Sequence, residues 1–320
     1  MSGKFVISLD LEKYWGMRDH KPLKDYEENL KKVDDICTSL LEIFVQYNVR
    51  ATWATVGFLA FKDKEELMIN LPLNWPDYNE AKLSPYEYIQ QEELETKYHF
   101  ADATILKIIK TPNQELASHT MSHYYCLEQG QSYDSFEQDL KQNIKIFKSK
   151  YNKDIVSIVF PRNQVNFKYE DILIENGVNI YRGNEINWVY EKKMNYQLRR
   201  FLRLIDSFIN ITGHNTFVVK NLAHDQLLNI PSSRFLRPVS LKFSFLDKLR
   251  LKRIKSQMNY AAKNGQIFHL WWHPHNFGNS IEKNTEFLKQ ILNYFKKLEK
   301  NYNMKSMNMK DIKENLKQSS

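Results

Sequence analysis

The sequence predicts an α/β protein built on a parallel sheet or barrel, and three observations carry that prediction. Short apolar, strand-like runs alternate with segments of helical periodicity, a pattern repeated four times up to Arg182. Chemically able residues stand where the strands end, at Asp10, His119 and His273, as in α/β barrels. At 320 residues the chain can form one large barrel or two medium domains, and no internal repeat divides it. We read residues 1–320 as a single domain.

The elements follow in order. Lys4-Phe-Val-Ile-Ser-Leu-Asp10 is a β-type run ending in a carboxylate, with Glu12, Tyr14 and Trp15 just beyond. Val33, Ile36, Leu40, Leu41, Phe44 and Val45 recur at helical spacing, so residues 25–47 form an amphipathic helix. Val49–Val56 is a second buried strand, closed by Gly57. Residues 62–110 break the rhythm and read as a helical insertion covering the C-terminal face of the strands. Glu115–Ser118 is the third strand and Tyr133–Lys150 a helix. A strand over Asp154–Phe160, a helix near Tyr169–Glu175 and a strand over Val178–Arg182 complete the alternation. Residues 190–245 are less regular, with loops at Pro231 and Pro238. A basic helix over 245–263 stops at Asn264-Gly265, Gln266–His273 is the last long strand, and residues 281–298 are the closing helix.

Composition narrows the function classes. The hydrophobic fraction of 42% is that of a globular protein, and no apolar run approaches the roughly 18–20 residues of a membrane helix. The N-terminus enters a strand with neither a charged n-region nor a long apolar stretch, so a cleavable secretion signal is not expected. Two cysteines, Cys37 and Cys126, make no disulfide framework, and a cytoplasmic location fits. The net charge of +8 favours anionic partners. Lys248, Arg250, Lys252, Arg253 and Lys255 crowd one helix, either as a solvated face or as a docking patch for a phosphate-bearing or lipid-linked substrate. No nucleic-acid-binding motif is apparent.

The stretch Glu115-Leu-Ala-Ser-His-Thr-Met-Ser-His123 places two imidazoles four residues apart. On a helical turn such a pair shares one face, with Cβ atoms roughly 5–6 Å apart, close enough to meet one divalent ion. His119 and His123 are therefore candidate metal ligands. With a carboxylate they would form a two-histidine, one-carboxylate set with open positions, suited to zinc or another first-row ion. A neighbouring carboxylate could then deprotonate water while a histidine protonates a departing amine, which is machinery for amide hydrolysis.

The motifs Ser-Leu-Asp-Leu-Glu12, Ala-Thr-Trp-Ala-Thr-Val-Gly57, Ser-His-Thr-Met-Ser-His123, Phe-Pro-Arg-Asn163 and His-Leu-Trp-Trp-His-Pro-His275 resemble, in this order, the polysaccharide deacetylase family, carbohydrate esterase family 4. The resemblance runs from residue 4 to about 312, and even Met307–Asp311 is similar to the segment closing such domains. It implies a distorted (β/α) barrel with seven or so strands, a divalent metal and removal of an N-acyl group from an amino sugar. By position it makes Asp10 the catalytic base, His273 the general acid, and His119 and His123 the metal histidines. The family's third ligand follows the base directly; here that place is Leu11, so Glu12 takes the ligand role or is an ordinary solvent-facing acid. Where the family has Arg-x-Pro this chain has Pro161-Arg162-Asn163, and Arg162 is expected to orient Asp10. Arg182-Gly-Asn-Glu-Ile-Asn-Trp188 is a faint echo of a further motif.

Trp15 and Trp272 are candidate stacking faces for sugar rings, though strand-end aromatics also serve the core. Asn163 and His275 are candidate substrate contacts. His20, His99, His214 and His224 are assigned no role. The expected function is a zinc-dependent deacetylase or deformylase acting on a nucleotide- or lipid-linked amino sugar, with peripheral contact to an anionic membrane. An amide hydrolase of non-sugar substrates and a non-catalytic glycan-binding barrel are the alternatives.

Overall fold

Lys4–Leu11 (β1) is apolar and buried along nearly its whole length, the pattern of a strand covered on both faces of a parallel sheet. A computed structural model, which describes residues 2–191, 194–219, 227–240 and 244–318, places it inside that sheet, with a strand on either side. The other strands are Ala51–Thr55 (β2), Gln114–Ser118 (β3), Ser157–Ile158 (β4), Ile180–Tyr181 (β5), Leu228–Asn229 (β6), Arg234–Phe235 (β7) and Ile267–Trp272 (β8). Their order is β6-β5-β4-β3-β2-β1-β8-β7, all pairs parallel, and the sheet curls into a partial barrel. Lys305–Met307 (β9) pairs with the start of β1. The path thus holds eight strands, in keeping with the seven or so expected; β6 and β7 are two residues each, too short to show a period.

Register sets the site. Leu11 lies opposite Thr55, and Thr55 opposite Ser118, so Glu12 and His119 leave the ends of β1 and β3, on either side of β2, at one level. Leu9 lies opposite Trp272, which puts Asp10 level with His273 on the other side of β1.

Helices cover the sheet through apolar stripes. Val33–Gln46 (α1) buries Val33, Ile36, Leu40, Leu41 and Phe44. Asp102–Lys110 (α2) follows, then Tyr133–Tyr151 (α3), which starts at a Ser132/Ser135 capping box and ends at Asn152 in the left-handed conformation. Glu170–Glu175 (α4), Tyr196–Asp206 (α5), Ser244–Asn264 (α6), Ile281–Tyr302 (α7) and Met309–Gln318 (α8) complete the set used below. Among the described residues no helix is long and apolar enough to cross a membrane. Cys37 and Cys126 are buried free thiols.

The expected insertion over 62–110 is shorter than its bounds suggested, because its last nine residues are α2, which packs on β3 and α1 as a repeat helix does. The remainder packs against the turn that leaves β1. Lys13 Nζ donates to the carbonyls of Lys97 and Phe100 at 3.1 and 2.6 Å, and Trp15 Nε1 donates to that of His99 at 2.7 Å. The basic helix is only partly a free patch. Arg250 and Arg253 of α6 are buried in ion pairs with Asp247 and Asp206, leaving Lys248 and Lys252 in solvent. His224 lies outside the described residues.

Candidate active site

Glu12, His119 and His123 converge at the C-terminal ends of β1 and β3, all at most 4% exposed. Glu12 Oε2 is 3.3 Å from His119 Nε2 and 3.2 Å from His123 Nε2. His119 Nδ1 lies 2.7 Å from the carbonyl oxygen of Val159, which can only accept, so Nδ1 carries the proton. Nε2 has no hydrogen-bond partner, and in the neutral ring it turns a lone pair toward the Glu12 carboxylate oxygen. Two such atoms repel unless a cation lies between them. The spacing fits one: at metal–ligand distances of about 2.0–2.1 Å, neighbouring corners of a tetrahedron are about 3.3–3.4 Å apart. Protonation agrees as well. Burial lowers His123 to about 4, leaving a neutral imidazole at neutral pH. Burial alone would raise Glu12, but His273, His119 and His123 outweigh it and hold the carboxyl well below the usual range. Two imidazoles and one carboxylate are the donor set of a divalent ion.

The histidine pair is not on a helical turn, as its spacing suggested. It lies on the loop after β3, where Thr120 and His123 both take positive φ, +62° and +59°. Such conformations persist where surrounding bonds impose them. Here the buried Asp139 of α3 supplies those bonds, accepting from the backbone N–H of Met121 at 2.6 Å and of Ser122 at 3.0 Å, and from the Ser122 hydroxyl. Gly16 shapes the other wall. A Cβ there would lie 2.1–2.5 Å from the Glu12 carboxyl atoms, so the missing side chain is the space Glu12 occupies.

Asp10 is gripped by Arg182, whose two terminal nitrogens donate to its two oxygens at 2.7 and 2.8 Å. Arg182 also donates to Ser8 Oγ and to Asn163 Oδ1, both at 3.0 Å, and stacks 4.2 Å over the Trp271 ring. Ser8 Oγ is 2.8 Å from Nε2 of the buried His269. Burial pushes the Asp10 carboxyl up, but Arg182, helped by His119 and His273, carries it below the usual range. His273 Nε2 stands 3.7 Å from Asp10 Oδ2 and 3.6 Å from Glu12 Oε1. Its Nδ1 faces Asn276 Oδ1 at 3.3 Å, and its ring stacks on His275.

The structure thus brings Asp10, Glu12, His119, His123, Asn163, His273 and His275 together and removes three expected residues. Arg162 does not hold Asp10; it pairs with Asp19 and lies over the Tyr125 ring at the rim. Arg182 does its expected work, and the signal was present: an arginine closing a buried strand. Trp15 and Trp272 are fully buried, against Phe58 and Phe277 respectively, and offer no face to a substrate. Asn163 meets Arg182, and His275 is buried between His273 and Tyr26. Asp139 and Gly16 were missed, because nothing local marks either one. His99 is structural, bonded to Tyr88 and to the Glu95 carbonyl.

Residues 25–181 match the family model described as polysaccharide deacetylase. This stretch belongs to the polysaccharide deacetylase family. It carries His119 and His123 and stops just short of Arg182, so the roles of Asp10, Glu12, Arg182 and His273 rest on geometry. No curated protein matches the chain. Among solved structures, it is similar to a candidate polysaccharide deacetylase from Mycobacterium smegmatis at 12% identity and a TM-score of 0.60, covering 100% of this chain and 92% of that one. It is also similar to the Puue allantoinase (10% identity, TM-score 0.54, 97% and 88% covered). A further likeness is to a GH57-type branching enzyme from Pyrococcus horikoshii (12% identity, TM-score 0.55, 98% and 70% covered). At these identities the likeness is one of fold. The polysaccharide deacetylase family supports hydrolytic deacetylation as the general chemistry and is generally metal-dependent, and a Glu/His donor set for such an ion is present.

Proposed function

We propose that the protein is a metal-dependent hydrolase that removes an acetyl or formyl group from the nitrogen of an amino sugar carried on a nucleotide or lipid phosphate, in surface-polysaccharide synthesis. The observation that carries the reading is the convergence of His119 Nε2, which has no hydrogen-bond partner, and His123 Nε2 on Glu12 Oε2 at 3.3 and 3.2 Å, beside a carboxylate held by an arginine. Glu12, His119 and His123 would hold the ion, zinc by its donor preference, which when bound acidifies water and polarises the amide carbonyl. Asp10, kept ionised and fixed in direction by Arg182, accepts the water proton at a carboxylate oxygen. His273, whose Nε2 stands 3.7 Å from Asp10 Oδ2, delivers a proton from that nitrogen to the departing amine. The net charge of +8 suits a phosphate-bearing substrate. A cytoplasmic place of action fits the same reading.

Elemental analysis with turnover on N-acetylated and N-formylated sugar nucleotides and lipid-linked sugars tests this. Wild type should hold one equivalent of metal, lost in Glu12→Ala and in His119→Ala. Asp10→Asn should keep the metal and lose turnover. Absence of metal after reconstitution, or full activity in Asp10→Asn, would overturn the reading.

A further inference from the structure

Helix α5, Tyr-Gln-Leu-Arg-Arg-Phe-Leu-Arg-Leu-Ile-Asp206, is an amphipathic helix mounted with its apolar side outward. At 100° per residue, Leu198, Phe201, Leu202, Leu204 and Ile205 share one arc, while Arg199, Arg200, Arg203 and Asp206 occupy the other. In an ordinary surface helix the apolar arc meets the core. Here Leu198 is 49% exposed, Phe201 57% and Leu204 43%, with Ile209 just beyond the helix at 61%.

The polar arc faces the body instead, except for Arg200, which is exposed at its edge. Asp206 is buried, with Arg234 Nη2 at 2.6 Å and Arg253 Nη2 at 3.3 Å, and Arg203 lines a cleft with Glu185, Asn187 and Arg237. Asp206 also accepts from the backbone N–H groups of Ile211 and Thr212, so the helix end is pinned in this orientation. A sequence with apolar residues at helical spacing, held so that they meet water, is built to be covered by something else.

Charge indicates what covers it. Arg199 and Arg200 stand at the two borders of the apolar arc, and the helix has no acid besides the buried Asp206. Helix α6, whose Arg253 holds Asp206, also carries exposed Phe245, Lys248, Leu249 and Lys252. Apolar side chains bordered by cations on a helix lying along the surface match the acyl and headgroup layers of an anionic leaflet. A symmetric contact between two copies would instead bring the same arginines together with no exposed acid on the helix to receive them. We propose that α5 is an interfacial helix that docks the protein on an anionic lipid surface. The cleft between α5 and the body includes Phe235, whose ring lies 5.9 Å from that of His273, so the helix stands close to the candidate active site.

The test is co-sedimentation of the full chain with vesicles of phosphatidylcholine alone and of phosphatidylcholine with one third phosphatidylglycerol, with no substrate present. Wild type should pellet with the anionic vesicles and stay in solution with the neutral ones. The double substitution Leu198→Ser, Phe201→Ser should cut the bound fraction about tenfold. Arg200→Glu should weaken binding and flatten its salt dependence. All these side chains are exposed, so melting temperatures should not move. Failure of wild type to bind, or equal binding by the double variant, would overturn the proposal. A concentration-dependent dimer that the double variant abolishes, without vesicle binding, would give the stripe to a second copy. Vesicle binding is read without turnover, so this proposal and the deacylase reading can fail separately.

Discussion

Arg182 reaches Asp10 from β5, four strands away along the sheet, and binds both carboxylate oxygens at 2.7 and 2.8 Å. Only the curl of the sheet allows that span. A lysine at this position keeps the charge but cannot make the forked contact. Arg182→Lys should therefore lower kcat by about 10²–10⁴-fold, the range of a lost proton acceptor, with bound metal unchanged. Steady-state kinetics and elemental analysis on one preparation check this. A variant that loses metal along with activity would show that Arg182 supports the Glu12 side instead.

Gly16 gives a test of the other half of the site. The alanine Cβ would lie 2.1–2.5 Å from the Glu12 carboxyl atoms, and Glu12 is buried with nowhere to retreat. Gly16→Ala should displace that carboxylate and lower metal affinity about 10–100-fold, with far-UV circular dichroism preserved. Unchanged metal binding would mean that Glu12 is not the carboxylate ligand.

Long elements were legible in the sequence, and long-range partners were not. β1, β2, β3 and β8 read clearly because continuous apolar runs mark strands covered on both faces. The histidines, Asp10 and His273 stood out because they close those runs. β6 and β7 carry two residues each and are held by neighbours rather than by any pattern of their own. Arg162 was favoured over Arg182 because motif order says which residues are near a strand end, not which way a backbone turns. At Arg162 φ is +53°, and the side chain leaves for Asp19. Trp15 and Trp272 end in the core for the opposite reason: both flank strands sealed by helices, and their rings fill the space between.

The buried cluster of Asp206, Arg234 and Arg253 should make stability fall in acid. Burial pushes the Asp206 carboxyl up, but Arg234 and Arg253 outweigh it, so its folded pKa lies below the unfolded value. The unfolded chain then binds the proton more readily than the folded one. The contribution is complete above the unfolded value of about 4 and is lost as pH falls through the folded value. Asp206→Asn leaves two buried guanidinium groups without their acid and should cost about 3–5 kcal/mol near pH 7. Urea unfolding from pH 7 to pH 3 should show the wild-type advantage shrinking below about pH 4. A constant difference across that range would show that the loss is one of packing.

Asp139 tests whether the His119–His123 loop is held or merely present. Its two oxygens accept from two backbone N–H groups and one hydroxyl, all within the loop that carries His123 in the left-handed conformation. An asparagine offers one oxygen and one amide nitrogen, so an N–H of the loop would face another donor in the buried interior. Leaving one such group unpaired costs about 1–3 kcal/mol. Asp139→Asn should lower the melting temperature and, because His123 loses its fixed direction, weaken metal binding about 10–100-fold while Glu12 and His119 remain unaltered. Loss of stability with metal affinity intact would mean that the metal donors hold the loop, rather than the loop holding them.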